Sequence, residues 1–237
     1  MSALDIAATG MLAQQFNVEV TSNNLANMNT TGFKRQRAEF QDLIYQDLVR
    51  VGSTSSDSGT IVPSGIQLGV GVKLSAVYRI MQQGNIASTG NTYDVAIQGK
   101  GLFKVELPSG DEAYTRAGSF QLSPQGEIVT TDGYPVQPGL TVPADAIGVT
   151  INASGEVLGL EAMGDNLFLE TAASGAAIEG TPGQDGFGTI LQGYVETSNV
   201  NAVEEITNLI TAQRAYEMLA KVIETSDEMS ATASQLS

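Results

Sequence analysis

The sequence predicts an α+β protein whose long N- and C-terminal helices pair as a coiled coil, with a central antiparallel β-rich domain between them. Three observations carry this expectation: a heptad-like apolar seam at the start of the chain, a longer one at its end, and regularly spaced turns in the middle.

At the start, Leu4, Ala7, Met11, Val18 and Leu25 keep a three-and-four spacing, with Gln14 and Thr21 filling the two gaps in register. This is the pattern of a coiled-coil helix, although an ordinary amphipathic core helix is also compatible with it. A helix from Ser2 to Asn27 would be about 40 Å long. Asn23, Asn24, Asn27 and Asn29 crowd its end, and Gly32 is a stop signal.

The C-terminal seam is stronger. Ala212, Ala215, Leu219, Val222, Ser226, Met229, Ala233 and Leu236 step 3-4-3-4-3-4-3, and Ile206, Leu209, Ile210, Tyr216 and Ile223 widen the stripe. No Gly or Pro occurs from Asn201 onward. A helix from Val203 to Leu236 would run about 50 Å. Small residues on both seams suit antiparallel pairing of the chain ends. The stripes are wider than one partner helix covers, which implies partner subunits.

Between the helices, Tyr93, Val95 and Ile97 alternate with polar or small neighbours, as does the run Leu102 to Leu107. Turns follow at Pro108-Ser109-Gly110-Asp111, Ser123-Pro124-Gln125-Gly126 and Asp132-Gly133. Such spacing predicts an antiparallel sandwich or barrel. The stretch Gly52 to Gly65 is rich in Ser, Thr and Gly and reads as a loop or linker.

Composition narrows the function. The net charge is -15, which argues against nucleic acid and anionic membranes as ligands. A polymer of such a chain must overcome self-repulsion with apolar contacts. The chain has no Cys and no His, so thiolate chemistry is excluded and the usual general base and commonest metal ligand are missing. No run has the length of a transmembrane helix, so no membrane insertion is expected. The N-terminus lacks a basic n-region, and Asp5, Gln14, Gln15 and Asn17 interrupt any apolar core. The expectation is a cytosolic protein, or one exported with its N-terminus intact.

Candidate chemistry is thin. Gly69-Val70-Gly71 and Gly99-Lys100-Gly101 lack the remaining features of phosphate loops and read instead as bulges or close backbone approaches. The acidic pairs Asp111/Glu112 and Glu204/Glu205 read as solvated rather than as glycosidase dyads. Asn29-Thr30-Thr31 and Asn152-Ala153-Ser154 fit a glycosylation triplet that is common by chance. The dense basic cluster Lys34, Arg35 and Arg37 reads as solvated or paired with acids at an interface. No catalytic residue, metal ligand or cofactor is assigned. A secreted β-rich enzyme or carbohydrate-binding module remains the reading from another class. The absence of Trp and an aromatic content of 6% equip the chain poorly to stack sugars.

Four runs carry a resemblance. SNNLANMNTTGFKRQRAEF (Ser22 to Phe40) and GYVETSNVNAVEEITNLITAQRAYEMLAKVIETSDEM (Gly193 to Met229) strongly resemble the terminal signatures of flagellar rod, hook and hook-associated proteins. YTRAGSFQLSPQGEIVTTDGYPVQ (Tyr114 to Gln137) looks like that family's β-domain motif, and GLEAMGDNLFLETAASG (Gly159 to Gly175) like its return segment. Within the family, IVPSGIQLGVGVK (Ile61 to Lys73) is similar to the segment that separates the distal rod from the hook. A proximal rod or hook subunit is the alternative within the class.

The resemblance implies a distal rod subunit of the flagellar basal body, polymerising helically to transmit torque. It would be exported by the flagellar type III apparatus and assemble between periplasm and outer membrane. Its implied partners are copies of itself, proximal rod proteins, the hook protein, and the P-ring and L-ring proteins. Residues 1-31 with 198-237 would form the tube, 32-91 with 172-197 a connecting region, and 92-171 the outer domain. The expected subunit-interface residues are Leu4, Ala7, Met11, Val18, Leu25, Ile206, Leu209, Tyr216, Leu219, Val222, Ile223 and Met229. Pro63, Ile66, Leu68 and Val70 represent the rod-specific segment.

The sequence departs from the family pattern at one join. Glu156-Val157 passes directly to Leu158-Gly159-Leu160-Glu161, as though a strand-rich stretch were excised. A strand starting at Glu156 would have about two residues, too few to pair usefully. Either the stretch belongs to the protein but is absent from this chain, or the outer domain is truly trimmed.

Overall fold

The computed structural model describes residues 3–49, 66–137, 139, 141–142, 160–164, 166–170 and 188–235. Two helices enclose fourteen described strands in chain order. The chain divides into two compact units: Met1–Leu25, Gln36–Arg79 and Ala202–Ser237 make the first, and Ala26–Arg35 and Ile80–Asn201 the second.

In the first unit, helix α1 spans Ala3–Ala26 and helix α2 spans Ala202–Gln235, close to the predicted limits. Asp5 in the first turn of α1, and Glu204 and Glu205 in that of α2, favourably face the positive ends of the helix dipoles. Along α2, the hydroxyls of Thr207, Thr211, Ser230 and Thr232 each donate to the carbonyl four residues earlier, so these polar residues do not interrupt the helix.

Contacts among the described residues tie the helices together. Leu219 packs on Gly10, where an added Cβ would sit 3.1 Å from Leu219 Cδ1. Asn24 Nδ2 donates to Glu205 Oε2 at 3.3 Å. From the first contact to the second, α1 advances from 10 to 24 while α2 retreats from 219 to 205, so the helices run antiparallel.

The rest of this unit is a two-stranded ribbon that the sequence had not predicted. Strand β1 (Gln36–Asp42) pairs antiparallel with β4 (Val72–Arg79), and β2 (Tyr45–Val49) pairs with β3 (Ile66–Gly69). A bulge at Glu39/Phe40 and the Leu43 N–H bond to the Gly71 carbonyl mark its bends. A lone two-stranded ribbon is marginal in water. This one is anchored on α1. Asn24 Oδ1 accepts from the Gln36 N–H at 2.7 Å and its Nδ2 donates to the Gln36 carbonyl at 2.8 Å, imitating a strand neighbour. Thr9 Oγ1 accepts from the Val72 N–H at 3.4 Å. Gly71, at φ 124, lies so close that a Cβ would stand 2.3 Å from that oxygen. The expectation of close backbone approach at Gly69-Val70-Gly71 therefore holds, for a reason that only the packing shows.

The second unit contains β5 (Ile86–Ser88), β6 (Val95–Gln98), β7 (Phe103–Glu106), β8 (Glu112–Thr115), β9 (Gln121–Leu122) and β10 (Ile128–Val129). It also contains β11 (Leu160–Gly164), β12 (Leu167–Glu170), β13 (Thr189–Gln192) and β14 (Tyr194–Glu196). All described pairs are antiparallel: a four-stranded sheet β11-β12-β8-β7, and ladders β10-β9, β13-β6 and β14-β5. The predicted turns are present, closed by bonds from the Gly110, Gly126 and Gly133 N–H groups to the carbonyls three residues earlier. Among the described residues the centre is thus antiparallel and strand-rich, as expected, in small ladders joined by single bridges at Asp94–Ser119, Val105–Val136 and Val129–Pro135. Strand β6 differs from its alternating pattern. Val95, Ala96 and Ile97 are all buried, so both faces are covered.

The core of this unit gathers Val95, Val105, Leu107, Ala113, Phe120, Ile128, Val136 and Leu167, beside a smaller cluster of Leu102, Tyr114 and Phe168. The rings of Phe103 and Phe120 meet edge to face at 5.1 Å. The join at Val157-Leu158 and the linker-like stretch Gly52 to Gly65 lie outside the described residues.

Candidate subunit interface and a buried charge cluster

The predicted seam of α1 faces the chain's own interior. Ala7 is buried, and Leu4, Met11, Val18 and Leu25 are half-buried, as are Gln14 and Thr21 or better. On α2, Leu209, Leu219 and Ile223 are half-buried, whereas Ile206, Tyr216, Val222 and Met229 stand 44%, 45%, 46% and 67% exposed. The covered line therefore passes through Ile223 and leaves the seam residue Val222 outside it.

Six exposed apolar residues of α2 fall into two groups. Val203, Ile206 and Ile210 each directly follow a covered residue, namely Ala202, Glu205 and Leu209. Met218 and Val222 each directly precede one, Leu219 and Ile223, and Met229 lies one heptad after Val222 on the same side. One residue turns a helix by about 100°, so these groups flank the covered line on opposite sides. Leu12 and Phe16 are exposed on α1. In the ribbon, Phe40, Ile44, Tyr45, Leu68, Val77 and Tyr78 are exposed. Of the rod-specific residues, Ile66 and Leu68 lie on β3 and Val70 is half-buried just after it, while Pro63 lies outside the described residues.

The second unit holds a charge cluster that sequence reasoning missed. Lys34 Nζ meets Glu196 Oε1 at 2.5 Å, and Arg116 Nε meets Glu196 Oε2 at 2.6 Å, with all three side chains buried. Lys34 also donates to the Gln82 carbonyl. The Arg116 guanidinium donates to the carbonyls of Ile97, Gly99 and Gly101. Glu196 Oε1 accepts a further bond from the Gly84 N–H. Burial pushes the Lys34 ammonium below its ordinary pKa, while the hydrogen bond and charge of Glu196 pull it back up. Asn199 adds a second backbone-imitating amide, accepting from the Arg35 N–H and donating to the carbonyls of Ile80 and Gln82.

Lys34, Arg116, Glu196 and Asn199 all fall within the motif runs quoted above. The basic cluster at Lys34 proves acid-paired at that residue, but inside the unit. Nothing local marks Glu196 as its partner, 162 positions away. Among the described residues there is no group of acidic side chains able to hold a metal ion, and no helix long and apolar enough to cross a membrane.

Comparison with known proteins gives this arrangement its context. Residues 4–34 match the family described as flagella basal body rod protein. Residues 96–159 match the flagellar hook protein FlgE/F/G D1 domain, and 191–236 the flagellar basal body rod FlgEFG protein C-terminal family. The chain is 58% identical to the flagellar basal-body rod protein FlgG of Caulobacter vibrioides over 260 positions, covering 100% of this chain and 99% of that one. It is 48% identical to FlgG of Agrobacterium fabrum, covering 99% of each. To the rod protein FlgF of Caulobacter vibrioides it is 33% identical, covering 98% and 96%.

Because the first alignment spans 260 positions and the chain has 237 residues, at least 23 residues of that relative face none here. Both ends and the centre match rod and hook families, and within one organism the identity to FlgG far exceeds that to its paralogue. The chain belongs to the FlgG family of flagellar basal-body rod proteins, structural components of the flagellum rather than enzymes.

Proposed function

We propose that this subunit polymerises helically with copies of itself into the distal rod, the rigid shaft that carries motor torque to the hook. The observation that carries this reading is the apolar surface left open on both flanks of α2. An acidic monomer gains nothing from exposing Ile206, Val222 and Met229, whereas a helix held by neighbours on two sides buries them. The helices of residues 1-31 and 198-237 then line the inner tube as a coiled coil with neighbours, and residues 92-171 form the outer wall. Residues 32-91 with 172-197 connect them. In this reading the proximal rod proteins lie below, the hook protein above, and the P-ring and L-ring proteins around the shaft, which the flagellar export apparatus delivers to the periplasm.

The test uses one variant on each flank, Ile206→Asp and Met229→Asp. Each should give a monomer with wild-type circular dichroism but no rods by electron microscopy. Burial of one such side chain contributes about 1.5–3 kcal/mol per contact, roughly a factor of ten or more in affinity. Wild-type rods from both variants would refute the reading.

The ribbon has its own role in the proposal: it lies between neighbouring subunits and braces them. Its exposed Tyr45, Leu68 and Val77 offer apolar surface on a ladder too thin to bury it alone. Deleting residues 54–73 should leave rods able to form but with a shorter bending persistence length. Unchanged stiffness would reduce the segment to a spacer.

A further inference from the structure

The assembly proposed above does not call on the charges buried inside the second unit. Lys34 enters from the segment after α1, Arg116 follows β8, and Glu196 closes β14, so the three come from the beginning, middle and end of the unit. Two cations converge on one carboxylate. Carbonyl oxygens of Gln82, Ile97, Gly99 and Gly101 surround them, but these supply only partial charge.

Until Glu196 is in place, closing the unit would bury two like charges without a counter-ion, which is costlier than leaving them in water. Burial above all, and to a lesser degree the charge of Arg116, count against the charged form of Lys34. The segment that carries Glu196 also carries β13 and β14, the partners of β6 and β5. Its Glu196 carbonyl accepts from the Gly32 N–H at 2.8 Å, two residues from Lys34.

We propose that Lys34 and Arg116 form an electrostatic gate on folding. Their mutual charge keeps the second unit open until the C-terminal segment delivers Glu196, so no earlier part of the chain completes this unit alone. The strand partners and the counter-charge arrive together, and closure is all-or-none.

The experiment compares three full-length monomers: wild type, Glu196→Gln, and the triple variant Lys34→Met, Arg116→Met, Glu196→Leu. Amide hydrogen exchange is read at Val95–Gln98 and Glu112–Thr115. Glu196→Gln keeps the shape but strands both cations, and exchange should accelerate about 100-fold or more. The triple variant has no charge to compensate and should return to within about tenfold of wild type. If Glu196→Gln does not fold at all while the triple variant does, the gate is equally supported. Wild-type exchange in Glu196→Gln overturns it. So does a triple variant as open as Glu196→Gln, or one that also fails to fold, because shape and hydrogen bonding rather than charge would then hold the unit.

Discussion

Replacing Gly118 by alanine is expected to unfold the second unit, with a loss of more than about 3 kcal/mol. A Cβ at this position would lie 1.6 Å from the carbonyl oxygen of Val95 and 2.8 Å from its carbonyl carbon. Both are backbone atoms, so no rotamer change relieves the clash. The Val95 N–H also bonds to the Gly118 carbonyl at 2.8 Å, and Asp94 bridges to Ser119, so the two segments are tied where they would have to part. Val95 is itself 1% exposed, in the centre of the core, and cannot move outward without opening a cavity. Urea denaturation followed by near-ultraviolet circular dichroism of the tyrosines measures the effect. A midpoint equal to that of wild type would mean that Gly118 and Val95 are not held this closely.

The second large effect is expected in the first unit, from Asn24→Asp. The side chain keeps its size but exchanges its donor for an acceptor. Its Nδ2 now donates to the Gln36 carbonyl and to Glu205 Oε2. In the variant, oxygen would face oxygen at both contacts, and a second carboxylate would be buried beside Glu205. An uncompensated buried charge costs about 3–5 kcal/mol, which corresponds to a fall of roughly 10 °C in the melting midpoint of a chain this size. Far-ultraviolet circular dichroism at 222 nm reports it, because both helices meet at this residue. An unchanged midpoint would show that the amide is not the joint between α1, β1 and α2.

These two residues show how differently the units could be read in advance. The helices were legible because their signal is local. Seams at three-and-four spacing, the Asn-rich end of α1 and the lack of Gly or Pro in α2 placed all four ends within a residue or two. The turns at Gly110, Gly126 and Gly133 were legible for the same reason. The ribbon was not. Gln36 and Arg79 are opposite each other across it, and the Ser-rich, Gly-rich stretch between its halves read as a linker. Strand β6 alternates in sequence, yet Val95, Ala96 and Ile97 are all buried, because the surrounding fold covers both of its faces and a periodic pattern cannot report that.

By itself, then, the sequence determined two long terminal helices, an antiparallel β-rich centre, an acidic chain with neither His nor Cys, and membership of a rod and hook family. Period and composition are properties of neighbouring residues, and they survive without coordinates. Which apolar residues remain outside was decided only by the tertiary structure. Val222 and Ile223 are adjacent and both apolar, yet only the packing of α2 covers the second and exposes the first. The pairing of Lys34 and Arg116 with Glu196 was decided there too, because a buried charge finds its partner through space, across separations on which periodicity is silent.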